Sequence, residues 1–509
     1  MFKSLNVTAR VFERQIVQPR PSASVNSVRQ FYENFVPSCT IYDIDCPDNS
    51  FRKFTDDGKY LISFSRNHQE LIVYRPTWLS FSYKGEDCDS DALSQRAKRF
   101  DSFFIHLYTV SLATSNEFIC KEFFLYVEGL EFGIFATSTA LSHEAPAIEG
   151  AVNGVQCIER IVFHLVRLED GFVLDEKVFC NDFVNLNHSM GVFLHEDLLC
   201  IMSLRYQAIH IVQITDSGNL VDVRIVGTFC HEDDELFIGS HIQVTEGQIF
   251  LSGIKQRLLS YIFRKHWSEE TDQTLRIQHL KKKFYFHFQD YIDLIMWKVQ
   301  FLDRHHLLIK FGSVDGVVSR TTEQHPSFFA VYNMEKAEII SFFQNSTEEL
   351  YYLYEQFCDH FTASSRSSLH ANFISSHSNN IYAFDQLCVI KNRASNFLQF
   401  VKKMVTSLPY TCQSQSPSPY FDLSLFRYDE KLISATDRHR YSTEHPIKFI
   451  SRRQPHILKF KIKPGSEASG SDARPKRISS FLFHPYLPLA ISIQQTFMQP
   501  TVVNIHFRR

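Results

Sequence analysis

The sequence predicts a mainly β fold: an irregular β-propeller of about seven blades, with helical insertions and an N-terminal helical arm. Three observations predict it. A unit of aromatic residue, turn, strand, polar loop and strand recurs along the chain. Apolar residues in that unit alternate with period two, as on a pleated strand. Phe is abundant, with 48 residues against 17 Gly, and aromatic side chains suit a half-buried sheet surface.

The first copy of the unit is the clearest. Residues 51–65 read as a turn and then a strand: aromatic Phe51 and Phe54 lead, Asp57-Gly58 is a tight-turn signal, alternation follows it, and residues 71–74 form a further strand after a polar break. Degraded copies recur at 191–201 with 209–214, at 301–310 with 328–332, at 425–434 with 447–450, and at 481–492 with 502–507. Strand-rich stretches at 103–139 and 158–179 supply the remaining blades. The propeller is expected over residues 38–509, after an arm at 1–37. A set of unrelated sheets is the plainer alternative.

The arm begins with a loop marked by Pro19, Pro21, Ser22 and Ser24. Val28, Phe31, Tyr32 and Phe35 then recur at three- and four-residue steps, which predicts one face of a short helix ended by Pro37. Such a helix either folds back on its own domain or docks in a partner. Three insertions are expected between strands. Residues 78–99 form a polar loop. Residues 255–299 form a basic helical insertion: Leu258, Leu259, Ile262 and Phe263 share one face, and Phe284, Phe288, Ile292 and Ile295 another. Residues 345–419 are helical and end in a Ser/Pro loop: Ser346 to Glu349 fits a capping box before Leu353 and Phe357, and Phe397, Phe400, Val401, Met404 and Val405 mark a second helix.

Composition excludes several classes of function. A chain of 509 residues exceeds one ordinary core, and 44% hydrophobic residues suffice to fold it. The net charge of −3 gives no global field for nucleic acid or an acidic membrane. No apolar stretch of about 18 residues is present for a membrane span, and the first ten residues lack a secretory h-region. The 11 Cys are scattered without a Cys-x-x-Cys pair, which predicts reduced thiols in the cytosol or nucleus. Cys157, Cys180, Cys200 and Cys230 are expected as small buried fillers.

No catalytic constellation is visible. The phosphate-cradling G-x-x-x-x-G-K-[ST], the G-x-S-x-G elbow and H-E-x-x-H are all missing, so no cofactor or metal is expected. His305 and His306 fall in an expected strand and would point to opposite faces. The densest acidic run, Glu232, Asp233, Asp234 and Glu235, reads as a solvated turn or as a patch for a basic tail. Lys281, Lys282 and Lys283 read as a solvated helix end or, less favoured, as an anion or nucleic-acid contact. Arg474, Lys476 and Arg477 stand in a Gly/Ser-rich loop and fit a nuclear localisation signal. An enzyme with charged residues at a propeller's central channel is a further, less favoured reading.

Several strings resemble the plant branch of the de-etiolated light-mediated development protein family. They include Phe31 to Asn34, Phe51 to Phe54, Ser65 to Pro76, Glu232 to Phe237, Lys281 to Tyr291, Ser414 to Phe421 and Val503 to Arg509, and they span nearly the whole chain. The loop between Phe237 and Leu251 is shorter than in some plant relatives. The resemblance implies a nuclear, non-catalytic repressor of light-regulated development. It further implies a scaffold or substrate-receptor subunit of a cullin-4 ubiquitin ligase. Its implied partners are the ligase's β-propeller adaptor, a ubiquitin-conjugating-enzyme variant with active conjugating enzymes, a small accessory subunit and a RING ligase of the photomorphogenesis class. It also implies contact with the histone H2B tail, for which Glu232–Glu235 are the candidate residues; direct nucleic-acid binding is not expected. On this reading Phe31, Tyr32, Phe35 and Val36 would anchor the arm helix in the adaptor, with Arg29 as a polar contact. The insertion carrying Lys255, Arg257, Lys281, Lys282 and Lys283 would receive a conjugating enzyme.

Overall fold

The computed structural model describes residues 32–77, 99–142, 151–152, 154–186, 191–227, 253–313, 327–344, 349, 418, 420, 425–428, 446–465, 478–495 and 501–508. These residues are mainly β, arranged in six antiparallel sheets. Strand β1 (Cys39–Ile41) stands apart from its sequence neighbours. The first full sheet is a meander of β2 (Ser50–Phe54), β3 (Leu61–Phe64), β4 (Glu70–Pro76) and β5 (Phe104–Ser111). The second holds β6 (Glu117–Ile119), β7 (Leu125–Val127), β8 (Phe132–Thr139), β9 (Leu141–Ser142), β10 (Cys157–Arg167) and β11 (Val173–Asp182). The expected stretch 103–139 is therefore split between two sheets.

The third sheet is β12 (Val192–His195), β13 (Leu198–Ser203), β14 (Ala208–Ile214) and β15 (Leu220–Val226). Three helices follow: α1 (Gly253–Ser268), α2 (Gln273–Leu280) and, after a π-helical turn at Lys281–Tyr285, α3 (Phe288–Ile292). The fourth sheet is β16 (Ile295–Phe301), β17 (His306–Gly312), β18 (Ser327–Asn333) and β19 (Glu338–Gln344). The fifth contains β20 (Phe426–Arg427), β21 (Ile447–Ser451) and β22 (Leu458–Ile462). The last is β23 (Ile478–Phe483), β24 (Leu489–Gln495) and β25 (Val502–Phe507), and β1 completes it by pairing with β25.

Inner strands are buried on both faces, and alternate residues enter different cores. Along β13, Leu198, Cys200 and Met202 pack toward the fourth sheet, while Leu199 and Ile201 pack toward the second. In β3, Leu61 faces the last sheet and Ile62 and Phe64 face the second. This is why these strands read as apolar runs rather than as polar alternation. Each of the first three sheets shares a core with its successor, the fifth shares one with the last, and the last shares one with the first.

Turn chemistry sits where the sequence marks it. Gly58 adopts φ +72°, donates to the Thr55 carbonyl at 2.8 Å, and closes the loop into β3. Asp57 caps the same turn through Lys59 N at 3.1 Å and accepts from the Tyr126 hydroxyl at 2.9 Å, tying the turn to the second sheet. Cys157 and Cys200 are buried as expected, but Cys180 is exposed because its β11 position faces solvent; Cys230 lies outside the described residues. His305 lies in the turn before β17 rather than within the strand. Its Nδ1 meets Glu335 at 3.1 Å, while His306 Nδ1 meets Asp303 at 2.9 Å, so the two rings have separate partners.

Candidate protein-docking surface

The arm meets its own fold. Residues 32–34 make one helical turn. Tyr32 is 3% exposed, packs edge-on to Tyr420 with centroids 6.1 Å apart, and donates to the Tyr486 carbonyl at 3.2 Å. Phe35 and Val36 are partly buried against the same core. The Tyr420 hydroxyl donates to the Phe35 carbonyl, and the Arg508 guanidinium lies 5.2 Å from the Phe35 ring centre. Glu33 is buried, accepting from Ser451 Oγ at 2.7 Å with Arg453 at 3.9 Å and Lys459 at 4.0 Å. Tyr32 is therefore occupied within the chain, because its ring fills the seam between β21–β22 and β23–β24. Of the residues expected to contact an adaptor, Arg29 and Phe31 lie outside the described residues, as do Glu232–Glu235, Arg474, Lys476 and Arg477, nearly all of the 78–99 loop and most of the 345–419 insertion.

The basic insertion is helical as expected, although its last residues belong to β16, which begins at Ile295. Gly253 opens α1 with φ +62°, and Ile254 N donates to the Gly227 carbonyl at 2.9 Å. Ile254, Leu258 and Ile262, four residues apart, enter the core shared by the third and fourth sheets. Asp272 caps α2, its side chain accepting from the Thr274 hydroxyl and from Thr274 N and Leu275 N, and these bonds, the hydroxyl's first, hold its carboxyl below the usual range. At the π turn, Phe284 points inward and is 6% exposed.

The predicted basic residues divide. Lys255 and Arg257 serve the interior. Lys255 Nζ donates to the Ile292 carbonyl at 2.9 Å, and burial lowers its pKa. Arg257 is 4% exposed, one turn from Ile254 and beside Leu258 on the core face of α1, so it is no surface contact. Lys281 and Lys282 are exposed, and Lys283 Nζ reaches Glu269 at 3.1 Å. Burial acts to raise the Glu269 pKa, but hydrogen bonds from Lys283 and His266 outweigh it and leave the carboxyl lowered.

The structure adds aromatic residues that the sequence reading passed over. Phe286 is 78% and Tyr285 60% exposed, and Trp267, Leu275 and Ile277 are exposed as well. Rings form a ladder beneath them. Trp267 stacks on Phe263 at 6.0 Å, Phe263 meets Phe284 edge-on at 5.4 Å, and Phe284 meets Phe288 at 5.7 Å. Between α1 and this ladder lies a cavity of about 430 Å³, lined by Leu259, Phe263, Phe284 and Phe288 with Gln256, Ser260 and Arg264. A signal was present in the run Phe284-Tyr285-Phe286-His287-Phe288: four aromatics in five positions cannot all face one core on a helix.

Among the described residues no group of three His, Cys, Asp or Glu is placed to hold a metal, and no helix is long and apolar enough to cross a membrane. The described residues present a mainly β body of serial sheets with an exposed, aromatic-rich helical face. Residues 121–509 match the family described as De-etiolated protein 1, Det1. The chain is 67% identical to a light-mediated development protein of Solanum lycopersicum and 62% identical to one of Arabidopsis thaliana, in each case over 100% of both chains. The chain belongs to the de-etiolated protein family, whose members are named for light-mediated development. An uncharacterized protein of Listeria monocytogenes EGD-e shares 6% identity over 59% of this chain and 67% of its own, and its TM-score of 0.20 carries no argument.

Proposed function

We propose that the chain is a non-catalytic scaffold subunit of a cullin-4 type ubiquitin ligase, which supports conjugating-enzyme activity in the nucleus and represses light-regulated development in darkness. The observation that carries this reading is full-length relationship to two proteins named for light-mediated development. The scaffold is an irregular propeller. Its support is the run of antiparallel meanders, each sharing a core with a neighbour, and the return of β1 to complete the last sheet. The partners are those the family resemblance implies: the β-propeller adaptor, the conjugating-enzyme variant with active enzymes, the small accessory subunit and the photomorphogenesis RING ligase. The histone H2B tail, received by Glu232–Glu235, is a second partner class.

The arm reaches the adaptor through Arg29 and Phe31, because Tyr32 is spent on the chain's own core. The helical insertion receives the conjugating enzyme or its variant through exposed aromatics and lysines. The test is co-purification. A chain carrying Arg29→Glu and Phe31→Ala should keep its fold and lose the adaptor. Unchanged adaptor recovery would reject this assignment.

A further inference from the structure

We propose that the groove between α1 and the π turn receives an acidic segment of a partner protein. An apolar side chain of that segment sits among Leu259, Phe263 and Phe288, and its carboxylates meet Arg264, Lys265, Lys281 and Lys282. This rests on the reading of the insertion as a docking element and narrows that element to one chemistry.

The groove is preformed. Phe263 and Phe284 hold each other edge-on, and Trp267 and Phe288 extend the ladder on either side. A guest side chain therefore enters without reordering the rings, which keeps the entropic cost of binding low. The cavity of about 430 Å³ exceeds one side chain. The apolar surface also continues past it onto Tyr285 and Phe286 of the same turn, further than a small molecule held in the groove would reach. Tyr285 ends the π turn and Phe286 follows it, and such turns recur at functional sites.

Charge decides the sign of the guest. Residues 253–293 hold eight Lys and Arg against five Asp and Glu, in a chain whose net charge is −3. Three of the five carboxylates are already engaged: Glu269 by Lys283 and His266, Asp290 by His287, and Asp272 by the α2 cap. Among the described residues, no ion pair involves Arg264, Lys265, Lys281 or Lys282, and all four are exposed. An acidic segment supplies the missing charge, steering association and fixing register. An anionic bilayer offers the same charge but a flat surface. Leu275 and Ile277 are both exposed and stand two residues apart on α2, about 200° around the helix, so one plane cannot take both.

The experiment uses the full-length chain and three fluorescent 15-residue peptides, followed by anisotropy. One peptide alternates Glu and Asp with two Leu, one replaces every acid with Lys, and one keeps the acids but replaces Leu with Ser. The first should bind, and high salt should weaken it. The Lys and Ser peptides should bind at least tenfold more weakly. A Lys281→Glu/Lys282→Glu chain and a Phe288→Ser chain should each lose at least tenfold, with unchanged melting curves. Equal binding of the Lys peptide, indifference to these variants, or binding only to phosphatidylserine vesicles would overturn the proposal. Co-purification of conjugating enzymes, measured on the same variants, separates the two readings. If enzyme is lost but no peptide binds, the docking reading stands and the acidic guest falls. If the peptide binds and enzyme recovery is unaffected, the acidic guest stands and the docking reading falls.

Discussion

His484 Nε2 donates to the Gly58 carbonyl at 3.0 Å, joining residues 426 positions apart. The other ring nitrogen, Nδ1, accepts from Tyr486 N at 3.1 Å and Leu487 N at 3.0 Å. Both nitrogens are thus committed, and the ring is held as one neutral tautomer. The contact clips the last sheet to the turn of the first. A Cβ on Gly58 would lie 2.5 Å from His484 Cε1, in a backbone of φ +72°. Gly58→Ala is expected to destabilise the protein by about 1–3 kcal/mol, from left-handed strain plus displacement of the ring. An unshifted denaturation midpoint would refute this.

Stability should fall with acid in a defined window. Burial lowers the His484 pKa from 6.5 to about 4, against a smaller opposing pull from the Gly58 carbonyl and Asp57. His506, set between Thr40 and Ser492, is lowered to about 3 by burial. Below pH 6.5 the unfolded chain takes up protons that the folded chain refuses. The stabilisation is therefore complete above 6.5 and is lost as pH falls toward 4, by roughly 3 kcal/mol for His484 alone. Melting temperature against pH checks this, and His484→Asn should flatten the slope.

Gln207 ties the third sheet to the fourth. It is 4% exposed, its Nε2 donates to the Leu204 carbonyl at 2.8 Å, and its Oε1 accepts from Met296 N at 2.6 Å. Gln207→Leu keeps the volume but strands the Met296 amide, at an expected cost of about 1–3 kcal/mol. Urea unfolding measures it. A neutral result would mean that another group satisfies that amide.

The seam filled by Tyr32 yields a separable outcome. Tyr32→Ala removes a buried ring and its bond to Tyr486, and an expected loss of about 3 kcal/mol or more follows. Hydrogen exchange should accelerate in β21, β22 and β24, whose side chains surround it. Exchange unchanged in those strands would show that the arm contributes nothing to the seam.

Much of this architecture was legible because local rules and global packing agree. Asp57-Gly58 marks a turn, and alternation in 60–64 and 481–492 marks strands, in regions where each residue parity has its own core to fill. The heptad-like spacing of Leu258 and Ile262 likewise marks the buried face of α1. The arm was not legible to the same degree. Spacing places Tyr32 and Phe35 on one face but cannot say whose core that face enters, since Tyr420 and Tyr486 lie hundreds of positions away. The docking face was missed for a related reason. Basic charge drew attention to Lys255 and Arg257, which fold inward, while Phe286, exposed just after the π turn, was passed over.

The pairing of β1 with β25 has a consequence for biosynthesis. Thr40 and His506, hydrogen-bonded at 2.9 Å, are 466 positions apart. A ribosome adds about 5–20 residues per second, so the early strand waits on the order of tens of seconds for its mate. Through that interval the nascent chain carries an unpaired strand edge at Cys39–Ile41, a template for wrong pairing. Newly made protein should therefore lean on chaperones until translation is nearly done. A premature stop at Val502, which removes β25 and the residues after it, should leave an aggregation-prone product rather than a slightly shorter scaffold.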